Sequence, residues 1–260
     1  MLPKAVVFFD LDGTLYNSQH QLVASSLQAI KQLRQNNILP VIATGRARAE
    51  IDNTLAITGI DSFITTNGAA VTLHNQQIYH DYIAPQLCHQ VVTLARQLGD
   101  TVSFYNDDHE AIDHATPLSL ARHRYLGKVA QVDPLFYQKQ PVQLLLIIAA
   151  QQEQHDQQYR EQLGQNLKLY RTSDYTIDTI NKNCSKKAGI QRLLTALAIN
   201  KQVPTYAFGD SNNDLEMFSM VKHPIAMGNA LPVVKQAAEY ITTDHNSDGI
   251  INGLKHFKLI

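Results

Sequence analysis

Residues 5–18, AVVFFDLDGTLYNS, set five apolar positions directly before Asp10 and Asp12, with Gly13 and Thr14 following. A short apolar run that ends in a small polar turn reads as a buried strand. Two carboxylates one residue apart repel, and taking them out of water is costly, so stability alone does not place them there. Either the strand end is a solvated turn, or something positive binds at it.

Composition limits what that positive group can be. With 260 residues, 44% hydrophobic and 17% charged, the chain is a globular protein with room for one large or two smaller domains. A formal net charge of -1 gives no electrostatic reason to expect nucleic acid or an anionic membrane as partner, which leaves a small substrate as the expectation. The longest apolar run, LLLIIAA at 144–150, is far short of the roughly 20 residues of a spanning helix. The opening MLPKAVVFFD is interrupted by Asp10 and Asp12 and lacks a signal-peptide pattern, so the expected location is the cytoplasm. Cys88 and Cys184 have no CxxC spacing and read as inert thiols; the eleven histidines show no zinc-binding spacing. No segment stands out as an oligomer interface.

Outward from residue 5, apolar runs alternate with amphipathic stretches, as in βαβ units around a parallel sheet. SSLQAIKQLRQNN reads as a helix capped by Ser25 or Ser26. ILPVIATG is a second strand with Thr44 and Gly45 past its end, RAEIDNTLAITG a helix, and SFITT a third strand finishing at Asn67-Gly68. Ligands of doubly wound sheets bind at the carboxyl ends of the strands, so Asp10/Asp12, Thr44/Gly45 and Asn67/Gly68 should share one rim.

From about residue 80 the pattern becomes helix, strand, strand, helix and hairpin, which predicts an inserted α+β unit over 81–183 with an antiparallel sheet. The segments 1–80 and 184–260 would then form the core. In the insert, Tyr105, Arg122, His123, Arg124 and Tyr125 are read as surface residues, with contact to a sugar or phosphate as the alternative. SKKAGIQRLLTALAI is a further helix, and TYAFGDSNNDLEMF repeats the opening grammar, its strand ending at Asp210, Asn213 and Asp214. Acidic clusters from two separate strand ends call for a cation, and hard oxygen ligands suit Mg²⁺. Together with Thr44, Gly45 and a lysine at a helix start, this is a set suited to a phosphoryl group.

DLDGT at 10–14, ATGR at 43–46, SKKAG at 185–189 and GDSNND at 209–214 resemble, in order, the four motifs of the haloacid dehalogenase (HAD) superfamily. The tail AMGNALPVVKQAAEYITTDHNSDGI at 226–250 is similar to the closing segment of its Cof-like class IIB phosphatases. The resemblance implies a doubly wound core with an inserted cap that closes over the substrate. It also implies a Mg²⁺-dependent phosphatase of small phosphorylated metabolites such as sugar phosphates. By the same resemblance, Asp10 would be the nucleophile and Asp12 the acid/base. Asp10, the Asp12 main-chain carbonyl and Asp210 would hold the metal. The Leu11 amide, Thr44, Gly45, Lys186 and Asn213 would hold the phosphoryl oxygens, with Asp214 in support. Lys186 is chosen because Ser185 precedes it, with Lys187 the alternative. A phosphomutase or phosphotransferase on the same core stays open, as does a receiver-like phospho-aspartate signalling protein, which needs only about half this length.

Overall fold

The structure is a computed structural model that describes residues 2–150, 152–199 and 202–260; residue 1, at the edge of the expected 1–80 segment, lies outside the described residues, as do 151, 200 and 201. The chain divides into two compact units, one of Met1–Arg46, Glu50–Tyr79 and Ser185–Ile260, the other of Ala47–Ala49 and His80–Cys184.

The first unit runs β1 (Ala5–Phe9), α1 (Ala24–Gln35), β2 (Ile38–Ala43), α2 (Asp52–Thr58), β3 (Phe63–Thr65), β4 (Ala70–Leu73) and β5 (Gln76–His80). The second unit holds α3 (Pro85–Leu98), β6 (Thr101–Tyr105), β7 (Glu110–Ile112), α4 (Pro117–Tyr125), α5 (Phe136–Lys139), β8 (Leu144–Ile148), α6 (Glu153–Leu163), β9 (Leu167–Ser173) and β10 (Thr176–Asn181). The chain then returns to the first unit with α7 (Lys186–Ala196), β11 (Thr205–Gly209), α8 (Asp214–Phe218), β12 (His223–Ala226), α9 (Pro232–Ala237), β13 (Tyr240–Ile241) and α10 (Gly249–His256).

In the first unit the eight strands lie in the order β13-β12-β11-β1-β2-β3-β4-β5. β1 is central and pairs in parallel with β2 on one side and β11 on the other. Connections therefore leave β1 and β11 in opposite directions, which makes their shared carboxyl edge the topological switch point where doubly wound sheets bind ligands. Every residue of β1 is buried, and Phe9 stacks on Phe208 of β11 with ring centroids 5.3 Å apart. A strand covered on both faces reads as an unbroken apolar run, and for that reason AVVFF shows no alternation.

The core of the sheet is parallel as expected, and β4, antiparallel to β3, leads into β5 at its edge. One local reading of this unit needs correction. The cap position of α1 is Val23, not a serine; Ser25 lies inside the helix and donates to Asp248 instead.

The second unit is built on an antiparallel sheet of order β7-β6-β8-β10-β9. Cys88, Val91, Val92 and Ala95 of α3, with Tyr159 and Leu163 of α6, pack in one cluster with Val102, Phe104, Leu145, Ile147 and Ile177 from alternate strand positions. Burial pushes the Cys88 thiol up to about 12, which keeps it protonated and inert. Tyr105 and His123 are not surface residues: both are buried, and both contact Glu110, which His123 Nε2 approaches to 3.2 Å. Tyr125 is exposed, as expected. Among the described residues no helix is long and apolar enough to cross a membrane.

Candidate active site

The site is assembled where β1 and β11 end. Asp10 follows β1 in extended backbone, and its N–H donates to the Phe208 carbonyl at 3.1 Å, which ties the two strand ends together. The chain then turns at Gly13, whose φ of +76° suits glycine. A Cβ there would lie 2.5 Å from Asp210 Oδ2, so glycine is also what lets Asp210 come this close. Thr14 Oγ1 donates to Asp210 Oδ1 at 2.9 Å, so the first acidic turn holds the second in place.

Lys186 enters from the first residue of α7, whose preceding Ser185 accepts the Ala188 N–H and caps the helix. Its Nζ bridges Asp10 Oδ1 at 2.6 Å and Asp214 Oδ1 at 2.7 Å, entirely out of solvent. Lys187 is exposed, so it is Lys186 that the fold brings to Asp10. Asp214 Oδ2 accepts the N–H groups of Asp210 and Ser211 at 2.9 and 3.0 Å. Both of its oxygens are thus committed to holding the turn and the lysine.

Three carboxylates therefore face one ammonium. Burial raises the Asp10 carboxyl well above its usual range, with Lys186 opposing and Asp214 and Asp210 adding to the rise. Burial and the Asp214 charge push Asp210 up to about 7. Burial works against the Lys186 ammonium, but the Asp10 and Asp214 charges outweigh it and raise its pKa. Oxygen atoms of Asp10, Asp210 and Asp214 all lie within 4.8 Å of one another. With Asp214 saturated by protein donors, Asp10 and Asp210 remain as hard, charge-rich oxygen donors, and such a set fits a divalent cation.

The Asp12 side chain does not join this cluster. Arg46 grips it through Nε to Oδ2 at 2.7 Å and Nη2 to Oδ1 at 2.6 Å, and His20 Nδ1 lies 3.4 Å from Oδ1. Burial pushes the Asp12 carboxyl up, but the Arg46 hydrogen bonds and charge override it and hold the carboxyl below its usual range. His20 carries no motif in the sequence and is placed here only by the turn after Tyr16.

The remaining expected residues line the same edge. Thr44 is buried just past β2; its hydroxyl is not wholly free, because Oγ1 accepts the Arg46 N–H at 3.1 Å, although its own proton remains to be donated. Gly45 follows, half-buried. Leu11 opens the turn after Asp10, and its carbonyl accepts the Tyr16 N–H at 2.8 Å. Asn213 precedes α8 and donates through Nδ2 to Asn67 Oδ1 at 3.1 Å. Asn229, from the tail segment, donates to the Gly13 carbonyl at 2.8 Å, a contact no local pattern announces.

Known proteins resemble this chain. Residues 7–254 match the family of haloacid dehalogenase-like hydrolases. YkrA of Bacillus subtilis (strain 168) is 29% identical over 268 residues, covering 100% of both chains. The HMP-PP phosphatase of Klebsiella pneumoniae (strain 342) is 30% identical over 235 residues, covering 87% of this chain and 85% of that one. Among solved structures, the HAD subclass IIB sugar phosphatase BT4131 superposes with a TM-score of 0.88 at 25% identity, covering 98% of this chain and 100% of that one. The chain belongs to the haloacid dehalogenase-like hydrolase family, within its Cof-like class IIB phosphatases. Its fold is the parallel-sheet core of that family with an inserted α+β cap, and its activity is that of a phosphoric monoester hydrolase.

Proposed function

We propose that the chain is a Mg²⁺-dependent phosphatase acting in the cytoplasm on small phosphomonoesters, sugar phosphates or related metabolites, through an aspartyl-phosphate on Asp10. The observation that carries this reading is the convergence of Asp10, Asp210 and Lys186, from opposite ends of the chain, at the switch point of the sheet.

An Asp10 oxygen attacks phosphorus, the bond from phosphorus to the ester oxygen breaks, and Asp12 gives that oxygen its proton. In the second half a water attacks the phosphoryl group and surrenders a proton to Asp12. The bond from Asp10 oxygen to phosphorus then breaks, releasing orthophosphate. Each Asp12 oxygen keeps a further lone pair beside its Arg46 hydrogen bond, where it carries the proton against a guanidinium charge that favours the carboxylate. The Leu11 amide, Thr44, Gly45, Lys186 and Asn213 hold the phosphoryl oxygens as charge shifts onto them. Asp10, the Asp12 main-chain carbonyl and Asp210 would hold the Mg²⁺, which when bound offsets the repulsion between a carboxylate and a phosphate dianion.

The relatives named as an HMP-PP phosphatase and a sugar phosphatase support a small phosphorylated substrate. The test is a screen of phosphorylated metabolites for released orthophosphate, with and without Mg²⁺ and without any sugar acceptor. Release that needs Mg²⁺ and no acceptor supports hydrolysis. Product formed only when an alcohol acceptor is present would make the chain a phosphotransferase instead.

A further inference from the structure

The turn after β3 is backbone-strained and central to the site, yet the four motifs leave it out. Thr66, Asn67 and Gly68 all have positive φ, +49°, +50° and +92°. For a β-branched threonine this is a genuine outlier, and such conformations persist only where the surroundings enforce them. Here they do. The Thr66 and Asn67 N–H groups donate to the Arg46 and Thr44 carbonyls at 2.9 and 3.0 Å. On the other side, a Cβ on Gly68 would fall 2.0 Å from the Ser185 carbonyl, at the start of the helix that carries Lys186.

Asn67 projects from this anchored turn. It is buried, and its Oδ1 accepts from Asn213 Nδ2 at 3.1 Å. The Asn213 Oδ1 accepts the Ser211 hydroxyl at 2.7 Å. The Asn213 amide is therefore held at both ends, and Nδ2 has one N–H left to give.

We propose that Asn67 is a positioning residue for phosphate: it fixes the Asn213 amide so that this second N–H meets a phosphoryl oxygen, touching no substrate itself. The inference rests on the phosphatase reading above. It also explains the residue type, since asparagine tolerates left-handed backbone and supplies the acceptor as well.

Asn67→Gly separates these two roles, because glycine adopts positive φ freely and only the amide is lost. With p-nitrophenyl phosphate and Mg²⁺, the KM of Asn67→Gly and its inhibition constant for orthophosphate should both rise about tenfold, the mark of lost phosphate binding, and kcat should fall as well because the same contact strengthens as charge shifts. Asn213→Ala should do the same, and the double variant should lose no more than Asn213→Ala alone, because the two residues act as one unit. A merely structural Asn67 would lower kcat through a smaller folded fraction and leave both constants alone. Unchanged constants in a folded Asn67→Gly, or losses that add in the double variant, overturn the inference. Should that variant fail to fold, the side-chain amide signals of Asn213 in the wild type, followed by NMR during orthophosphate titration, decide: they should move, and static signals overturn the proposal. A wild type that hydrolyses no phosphomonoester would instead remove the phosphatase reading itself, whereas an active wild type with unaffected variants removes only the role of Asn67.

Discussion

Arg46 closes on Asp12 with two hydrogen bonds of 2.7 and 2.6 Å, so the Asp12 carboxylate lies in a guanidinium fork and the Asp10 carboxylate in a lysine pair. Two carboxylates one residue apart are thus sent to different cations, and this resolves the repulsion that their spacing raises. With side chains 28% and 45% exposed, the Arg46–Asp12 pair is worth roughly 0–1 kcal/mol to stability, so its importance is orientation. Arg46→Ala should keep its Tm within a few degrees of wild type. Its kcat/KM should fall about 10²-fold on alkyl phosphates, whose leaving oxygen needs a proton, and far less on p-nitrophenyl phosphate, whose leaving group does not. Equal losses on both substrates would assign Arg46 to phosphate binding instead.

Lys186 and Lys187 are adjacent, yet one is buried between two carboxylates and the other is exposed. Removing one partner of a buried pair leaves uncompensated charge, at about 3–5 kcal/mol. Lys186→Ala should lose that much stability in metal-free denaturant melts, along with nearly all turnover. Lys187→Ala should stay within about 0.5 kcal/mol of wild type and remain active. A reversed pattern would make Lys187, not Lys186, the lysine that turnover needs.

The raised carboxyls make the metal-free protein sensitive to pH in a set direction. Asp210, pushed up to about 7, holds more protons folded than unfolded, where a carboxyl titrates near 4. That contribution is complete at low pH and is lost as pH rises through 7. Metal-free Tm should therefore fall by several degrees from pH 6 to pH 8, Mg²⁺ should restore it at pH 8, and Asp210→Asn should flatten the slope. A metal-free Tm that is flat or rises over this range contradicts the electrostatic account.

Glu110 plays the opposite part in the cap. Burial works against its charge, but the Tyr105 hydroxyl and then Lys128 and Arg122 outweigh it and hold the carboxyl below its usual range. A depressed carboxyl stabilises above its unfolded pKa and loses that contribution as pH falls through the folded value. Glu110→Gln should cost about 1.5–3 kcal/mol at pH 7 and less at pH 4, read from thermal melts of the intact chain. An equal cost at both pH values would mean that charge does not matter there.

What the sequence made legible was local. AVVFF, ILPVIA and YAFG are apolar runs bounded by Asp, Thr, Gly and Asn turns, and each forms a strand whose end supplies a site residue. That Asp10 meets Lys186, 176 positions away, is a matter of topology, and only the ordered motifs pointed to it. The β4–β5 edge escaped reading because Gln76, Gln77, Ile78 and His80 are all exposed, so β5 has no apolar alternation to betray it. Tyr105 and His123 read as surface residues because their partner Glu110 lies on β7, a different element from their own β6 and α4, and single polar residues carry no trace of such pairing. Likewise the Asn67–Asn213 contact joins two turns that only the folded sheet brings together.

The proposed reaction requires Asp10 to become covalently phosphorylated during turnover. Enzyme mixed with substrate and Mg²⁺, quenched in acid within the first turnover and digested, should yield a phosphoryl group on the peptide carrying Asp10, and Asp10→Asn should be folded, unlabelled and inactive. A folded Asp10→Asn variant that still releases orthophosphate at the wild-type rate, or a label found on another residue, would contradict it.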